Sequence, residues 1–125
     1  HRSLHVSIFG KLFARPYEKV SAAEAAALTE PGAVLLDVRE PHEWQAGNAP
    51  KARHMPLGQL SQRAKEIPNG RPIVTICRSG SRSARAASML ARDGRQVSNV
   101  VGGMRAWARA NLPVVAKGGR PGQVV

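Results

Sequence analysis

Two short runs, apolar but for Asp37 and Thr75, constrain the fold most: Ala33-Val34-Leu35-Leu36-Asp37-Val38 and Pro72-Ile73-Val74-Thr75-Ile76. Each is too short for a helix and too apolar to leave one face in water. Both therefore read as buried strands of a parallel sheet. Such a sheet needs helices on its faces, and the segments between the runs carry helical signals. Ser21 and Glu24 form a capping box ahead of Ala25, Ala26, Ala27 and Leu28, and Pro31-Gly32 stops that helix. Pro41 suits the start of a short helical turn through Trp44. Leu57, Leu60, Ala64 and Ile67 recur at helical spacing up to Pro68-Asn69-Gly70.

Further strands are expected at Tyr17-Glu18-Lys19-Val20, at residues 52–56 and at Val97-Ser98-Asn99-Val100-Val101. A helix over residues 83–92 places Ala86, Ala87, Leu90 and Ala91 on one face, with Gly94 beyond its end. Gly102-Gly103 opens a last helix that carries Met104, Trp107 and Ala108 inward and closes at Pro113. Strands alternating with helices predict an α/β fold, an open, mainly parallel central sheet with helices on both faces. Aromatic residues are only 4% of the chain, and much of its apolar content is alanine, which suits close-packed helices better than a β-sandwich. The chain divides into a lead-in over residues 1–16, one domain over 17–113 and a tail over 114–125. The lead-in reads as flexible or loosely docked, and the last few residues, rich in Gly and Pro, read as disordered.

One cysteine excludes an intrachain disulfide, so Cys77 is either a packed small hydrophobe or a reactive thiol. Its position favours the second. Ligands of open α/β sheets bind beyond the carboxyl ends of strands, and Cys77 is the first residue after one. Ser79, Gly80 and Ser81 are small enough for successive amides to converge on one centre, with a helix N-terminus behind them. Arg78 and Arg82 add positive charge. All of these favour a thiolate, a nucleophile suited to an electrophilic sulfur, phosphorus or arsenic centre.

At this point the motifs carry a family likeness. Leu35-Leu36-Asp37-Val38-Arg39-Glu40-Pro41-His42-Glu43-Trp44, Gly47 through Ala52-Arg53-His54-Met55-Pro56-Leu57, Cys77-Arg78-Ser79-Gly80-Ser81-Arg82-Ser83 and Gly102-Gly103-Met104-Arg105-Ala106-Trp107 follow one another in order. Together they resemble the rhodanese-like domain, the single-domain thiosulfate sulfurtransferase family, from Tyr17 to Pro113. Asn48, Ala49 and Lys51 depart from the second motif. The resemblance implies a sulfurtransferase in which Cys77 takes sulfane sulfur from an anionic donor such as thiosulfate. Arg78, Ser79, Gly80, Ser81, Arg82 and Ser83 would hold the persulfide, and a thiol, a protein or cyanide would accept the sulfur. No metal or organic cofactor is implied. Phosphatases and arsenate reductases on this fold have one more residue in the loop, and the smaller ring of amides here suits a sulfur atom better than a phosphate.

Asp37, at the end of a buried strand, is expected to satisfy loop amides, and Arg39 to support the structure or the field of the pocket. Arg78 either meets the anionic donor or points to solvent. His42 and His54 lack a third ligand at metal-site spacing, and Trp44 and Trp107 read as core or pocket wall. Two further functions belong with this scaffold: a non-catalytic binding or regulatory module, which the intact cysteine loop disfavours, and a sulfur carrier for tRNA or cofactor thiolation. The net charge of +11 attracts anionic partners. Yet the bases are scattered from Arg2 to Arg120 with no aromatic ladder, which disfavours nucleic acid. No run approaches the roughly 20 apolar residues of a membrane span, and dependence on a free thiol points to the cytoplasm.

Overall fold

The computed structural model describes residues 16–125; the lead-in proposed for residues 1–16 lies almost wholly outside them. Five parallel strands form one sheet: β1 (Glu18–Val20), β2 (Val34–Asp37), β3 (Arg53–His54), β4 (Ile73–Ile76) and β5 (Val97–Val100). Their order across the sheet is β1-β5-β4-β2-β3, all pairs parallel. β2 and β4 are buried along their whole length, with the polar Asp37 and Thr75 included among their apolar residues.

Side chains alternate between two cores. Leu35, Val74, Ile76 and Val100 face helices α1 (Ala22–Thr29) and α5 (Gly103–Arg109). Val34, Leu36 and Ile73 face the other side, toward α3 (Leu60–Arg63) and α4 (Ser81–Arg92). Fully buried residues such as Leu35, Ile73, Ile76 and Leu90 each stabilise the fold by about 1.5–3 kcal/mol. The capping box forms as expected: Ser21 Oγ accepts from the Glu24 N–H at 3.0 Å, and Glu24 Oε1 from the Ser21 N–H at 2.7 Å.

Four expectations are corrected. The segment from Leu57 to Ile67 is not one helix. Its four-residue α3 is flanked by 3-10 turns at Leu57–Gln59 and Ala64–Glu66, the tightening common where a helix is too short to stabilise itself. The helix expected from Ser83 starts at Ser81, because Gly80 takes the left-handed conformation (φ 115°) that caps it. Ala108 is exposed, since Met104 and Trp107 already fill the inward face of the two-turn α5. The Gly- and Pro-rich end is folded back and hydrogen-bonded: Val115 bridges Asn48 and Pro121, the Gly122 N–H donates to Val114 O, and the Gln123 N–H to Ala46 O.

Strand order dictates where a site can form. The chain leaves β2 toward β3 on one side and later returns through β4 on the other. The loops after β2 and β4 therefore diverge and open a crevice at their carboxyl ends. Cys77 follows β4, while Asp37, Arg39 and helix α2 (Pro41–Ala46) follow β2.

Candidate active site

Cys77 is 1% exposed, yet its sulfur is surrounded by donors rather than by apolar contacts alone. Sγ accepts from the Gly80 N–H at 3.1 Å and lies 3.3 Å from Ser83 Oγ. Burial pushes the thiol pKa up. The Ser83 hydroxyl and the amides of Ser83, Gly80 and Ser79 more than offset it, and hold the thiol below its ordinary value. Because α4 starts at Ser81, three of the seven residues of the predicted loop lie in the first turn of a helix, and the Ser83 N–H of that turn faces the sulfur. Ser83 is fully buried there, whereas Arg78, Ser79 and Ser81 are exposed.

Neighbouring strands and α5 fix this loop. Thr75 Oγ1 lies 3.0 Å from Ser83 O and 3.1 Å from Asn99 Oδ1, and Asn99 Nδ2 donates to Gly80 O at 3.1 Å. The first amides of α5 reach the carbonyls before and within the loop: Met104 N–H to Cys77 O at 2.7 Å and Arg105 N–H to Arg78 O at 3.1 Å. Gly103 permits that approach. Its backbone has φ 56°, and a Cβ there would fall 2.4 Å from Cys77 O.

Arg82 does not stand free beside the sulfur. Its guanidinium forks onto Glu43, Nη1 to Oε1 at 2.7 Å and Nη2 to Oε2 at 2.8 Å, and so ties α4 to α2 across the crevice. Glu43 is almost fully buried, and hydrogen bonding to Arg82, joined by the Glu40 N–H, brings its carboxyl down to about 2 despite burial. The same pairing raises Arg82 further above its ordinary range. Sequence reasoning assigned no role to Glu43. Its third position in a Pro-initiated helix signals a cap but not a partner thirty-nine residues away.

Asp37 and Arg39 form a separate buried pair, both side chains 0% exposed, with Arg39 Nη2 2.8 Å from Asp37 Oδ2. Asp37 also accepts from the Arg39 N–H at 3.0 Å, as expected of a strand-ending carboxylate. The remaining Arg39 donors go to Glu43 O at 3.2 Å and Gly47 O at 2.7 Å, so the pair anchors the C-terminal half of α2. His42 is exposed, while His54 stacks on Trp44 and its Nε2 lies 2.7 Å from Arg39 O. An apolar cavity of about 190 Å³ beside Trp107 and Leu35 opens on the opposite sheet face from Cys77. Among the described residues, no helix is long and apolar enough to cross a membrane.

This arrangement can generate and hold a sulfur nucleophile at the end of a sheet, and the chain as a whole is similar to known proteins. A sulfurtransferase from Allochromatium vinosum is 42% identical over 87 residues, covering 69% of this chain and 81% of that protein. The thiosulfate sulfurtransferase GlpE of Vibrio cholerae is 35% identical over 98 residues, covering 78% and 92%. In three other relatives the match spans only 60%, 40% and 45% of the relative's length. Among solved structures, the rhodanese-related protein of Thermoplasma volcanium superposes with a TM-score of 0.74 at 30% identity, covering 79% of this chain and 98% of that one. A family model, the rhodanese-like domain, matches residues 21–110. With the five-stranded parallel sheet and its covering helices, these matches establish that the chain belongs to the rhodanese-like domain family.

Proposed function

We propose that this protein is a sulfurtransferase that carries sulfane sulfur as a persulfide on Cys77, within a domain spanning residues 17–113. The Cys77 thiolate attacks the outer sulfur of a donor such as thiosulfate. The new S–S bond forms as the donor's own S–S bond breaks, and sulfite leaves with the electron pair. The amides of Ser79, Gly80 and Ser83, together with the Ser83 hydroxyl, offer donors to the terminal sulfur anion. An acceptor nucleophile, cyanide in the test tube or a thiol in the cell, then attacks that sulfur and releases the thiolate. Relatives named as sulfurtransferases support the reading.

Its main support is the setting of the sulfur: a buried thiol held below its usual pKa by four converging donor groups. An inert core cysteine would be shifted the other way. Arg82, neutralised by Glu43, braces the loop, which leaves Arg78 to meet an anionic donor; Asp37 and Arg39 support from behind. The decisive assay is thiocyanate formation from thiosulfate and cyanide. Wild type should turn over with ping-pong kinetics and Cys77→Ser should be inactive. Equal rates in both proteins would refute the proposal.

A further inference from the structure

The tail over residues 114–125 lies beyond the part of the chain matched by the family, yet it is built onto the site. Its antiparallel bridges, Asn48 with Val115 and Val115 with Pro121, seat it beside α2. Two glycines let it approach closely. A Cβ on Gly47 would fall 2.5 Å from Gln123 O, and one on Gly122 would fall 2.8 Å from Gly47 Cα. Val114 and Val124 pack on the core beneath. The strap reaches the catalytic loop, where Arg78 Nε donates to the main-chain oxygen of Val125 at 2.9 Å.

We propose that this strap is a positioning element for the sulfur donor: it anchors Arg78 through Nε so that the two Nη groups of the guanidinium are presented to an anion entering beside Cys77. The inference rests on the sulfurtransferase reading above. An exposed arginine on a loop otherwise samples many rotamers, and an anion that binds it must immobilise the whole side chain. With Nε already held, a planar fork remains whose donors match two oxygens of a sulfonate-like group. Arg82 does not offer the same, because both of its Nη groups are taken by Glu43. Val125 therefore acts through Arg78 and touches no reacting atom.

The test compares the chain of residues 1–125 with two strap variants, one ending at Pro121 and one carrying Gly122→Val. The second keeps the whole chain but drives a side chain into Gly47 and Val115. Each is assayed with thiosulfate and cyanide, in the wild-type and Arg78→Ala backgrounds. Releasing the strap should raise the KM for thiosulfate by about three- to tenfold, the cost of ordering one freed rotamer-rich side chain, with kcat changed less than about twofold. In the Arg78→Ala background the same strap changes should have no further effect on KM. An equal effect with and without Arg78 would mean that the strap only stabilises the fold and would overturn the proposal. A lower KM on release would overturn it too, since the strap would then be withholding Arg78. Turnover in wild type with an unchanged KM in both strap variants refutes the strap alone. No turnover in wild type refutes the sulfurtransferase reading and the strap with it.

Discussion

Replacing Glu43 by Gln removes the charge that faces Arg82 while keeping the length of the side chain. A glutamate ordinarily titrates near 4.3; here it is held at about 2. At about 1.4 kcal/mol per tenfold change in proton affinity, that difference corresponds to about 3 kcal/mol of stabilisation at neutral pH. Arg82 is one-third exposed and regains water when the partner is lost, which lowers the expected cost to about 1.5–2.5 kcal/mol. For a chain of this size that is a fall in Tm of about 6–10 °C. The sign with pH is fixed. A carboxyl with a depressed pKa contributes fully above its unfolded value and loses that contribution as pH falls toward about 2. Urea unfolding of wild type and Glu43→Gln at pH 7 and pH 3 provides the assay. The gap should shrink to less than about half at the lower pH, because at pH 3 the unfolded chain's Glu43 is already largely protonated while the native carboxylate is not, so unfolding takes up a proton and is favoured. A gap equal at both values, or below about 0.5 kcal/mol at pH 7, would refute this account of the bridge.

Three other substitutions separate the parts of the site. Ser83→Ala removes the side chain that most lowers the Cys77 thiol, so the acid limb of kcat/KM and the thiolate absorbance titration should both move to higher pH; an unmoved titration would remove Ser83 from the role. Gly103→Ala sets a Cβ against the Cys77 carbonyl and should cost about 2–4 kcal/mol in urea unfolding, with loss of turnover; a neutral effect would contradict the close approach. Arg39→Met leaves the Asp37 carboxylate buried without its partner and should destabilise by about 3–5 kcal/mol in the same assay; a cost below about 1 kcal/mol would show that Asp37 finds other partners.

What could be read from sequence was whatever short-range chemistry determines. Buried strands announce themselves in unbroken runs such as Val34-Leu35-Leu36, and the Ser21–Glu24 box is a contact over three residues. Cys77 at the end of a strand and Gly80 in its loop are likewise local signals. The Glu43–Arg82 fork was hidden because it spans two separate strand-to-helix connections that only the sheet order brings together. Composition misled at the tail. Gly122 and Pro121 resemble disorder in isolation, but glycine is what the close approach to Gly47 demands. The start of α4 was displaced because Ser81 and Arg82 look like loop residues until Gly80 is seen to turn left-handed and cap the helix.

The central claim is the persulfide, and intact mass tests it directly. Wild type and Cys77→Ser are incubated with thiosulfate, weighed, and weighed again after cyanide. The account predicts that wild type alone gains the mass of one sulfur atom and that cyanide removes it. An adduct on Cys77→Ser, or no adduct on wild type with either thiosulfate or glutathione persulfide, would contradict it.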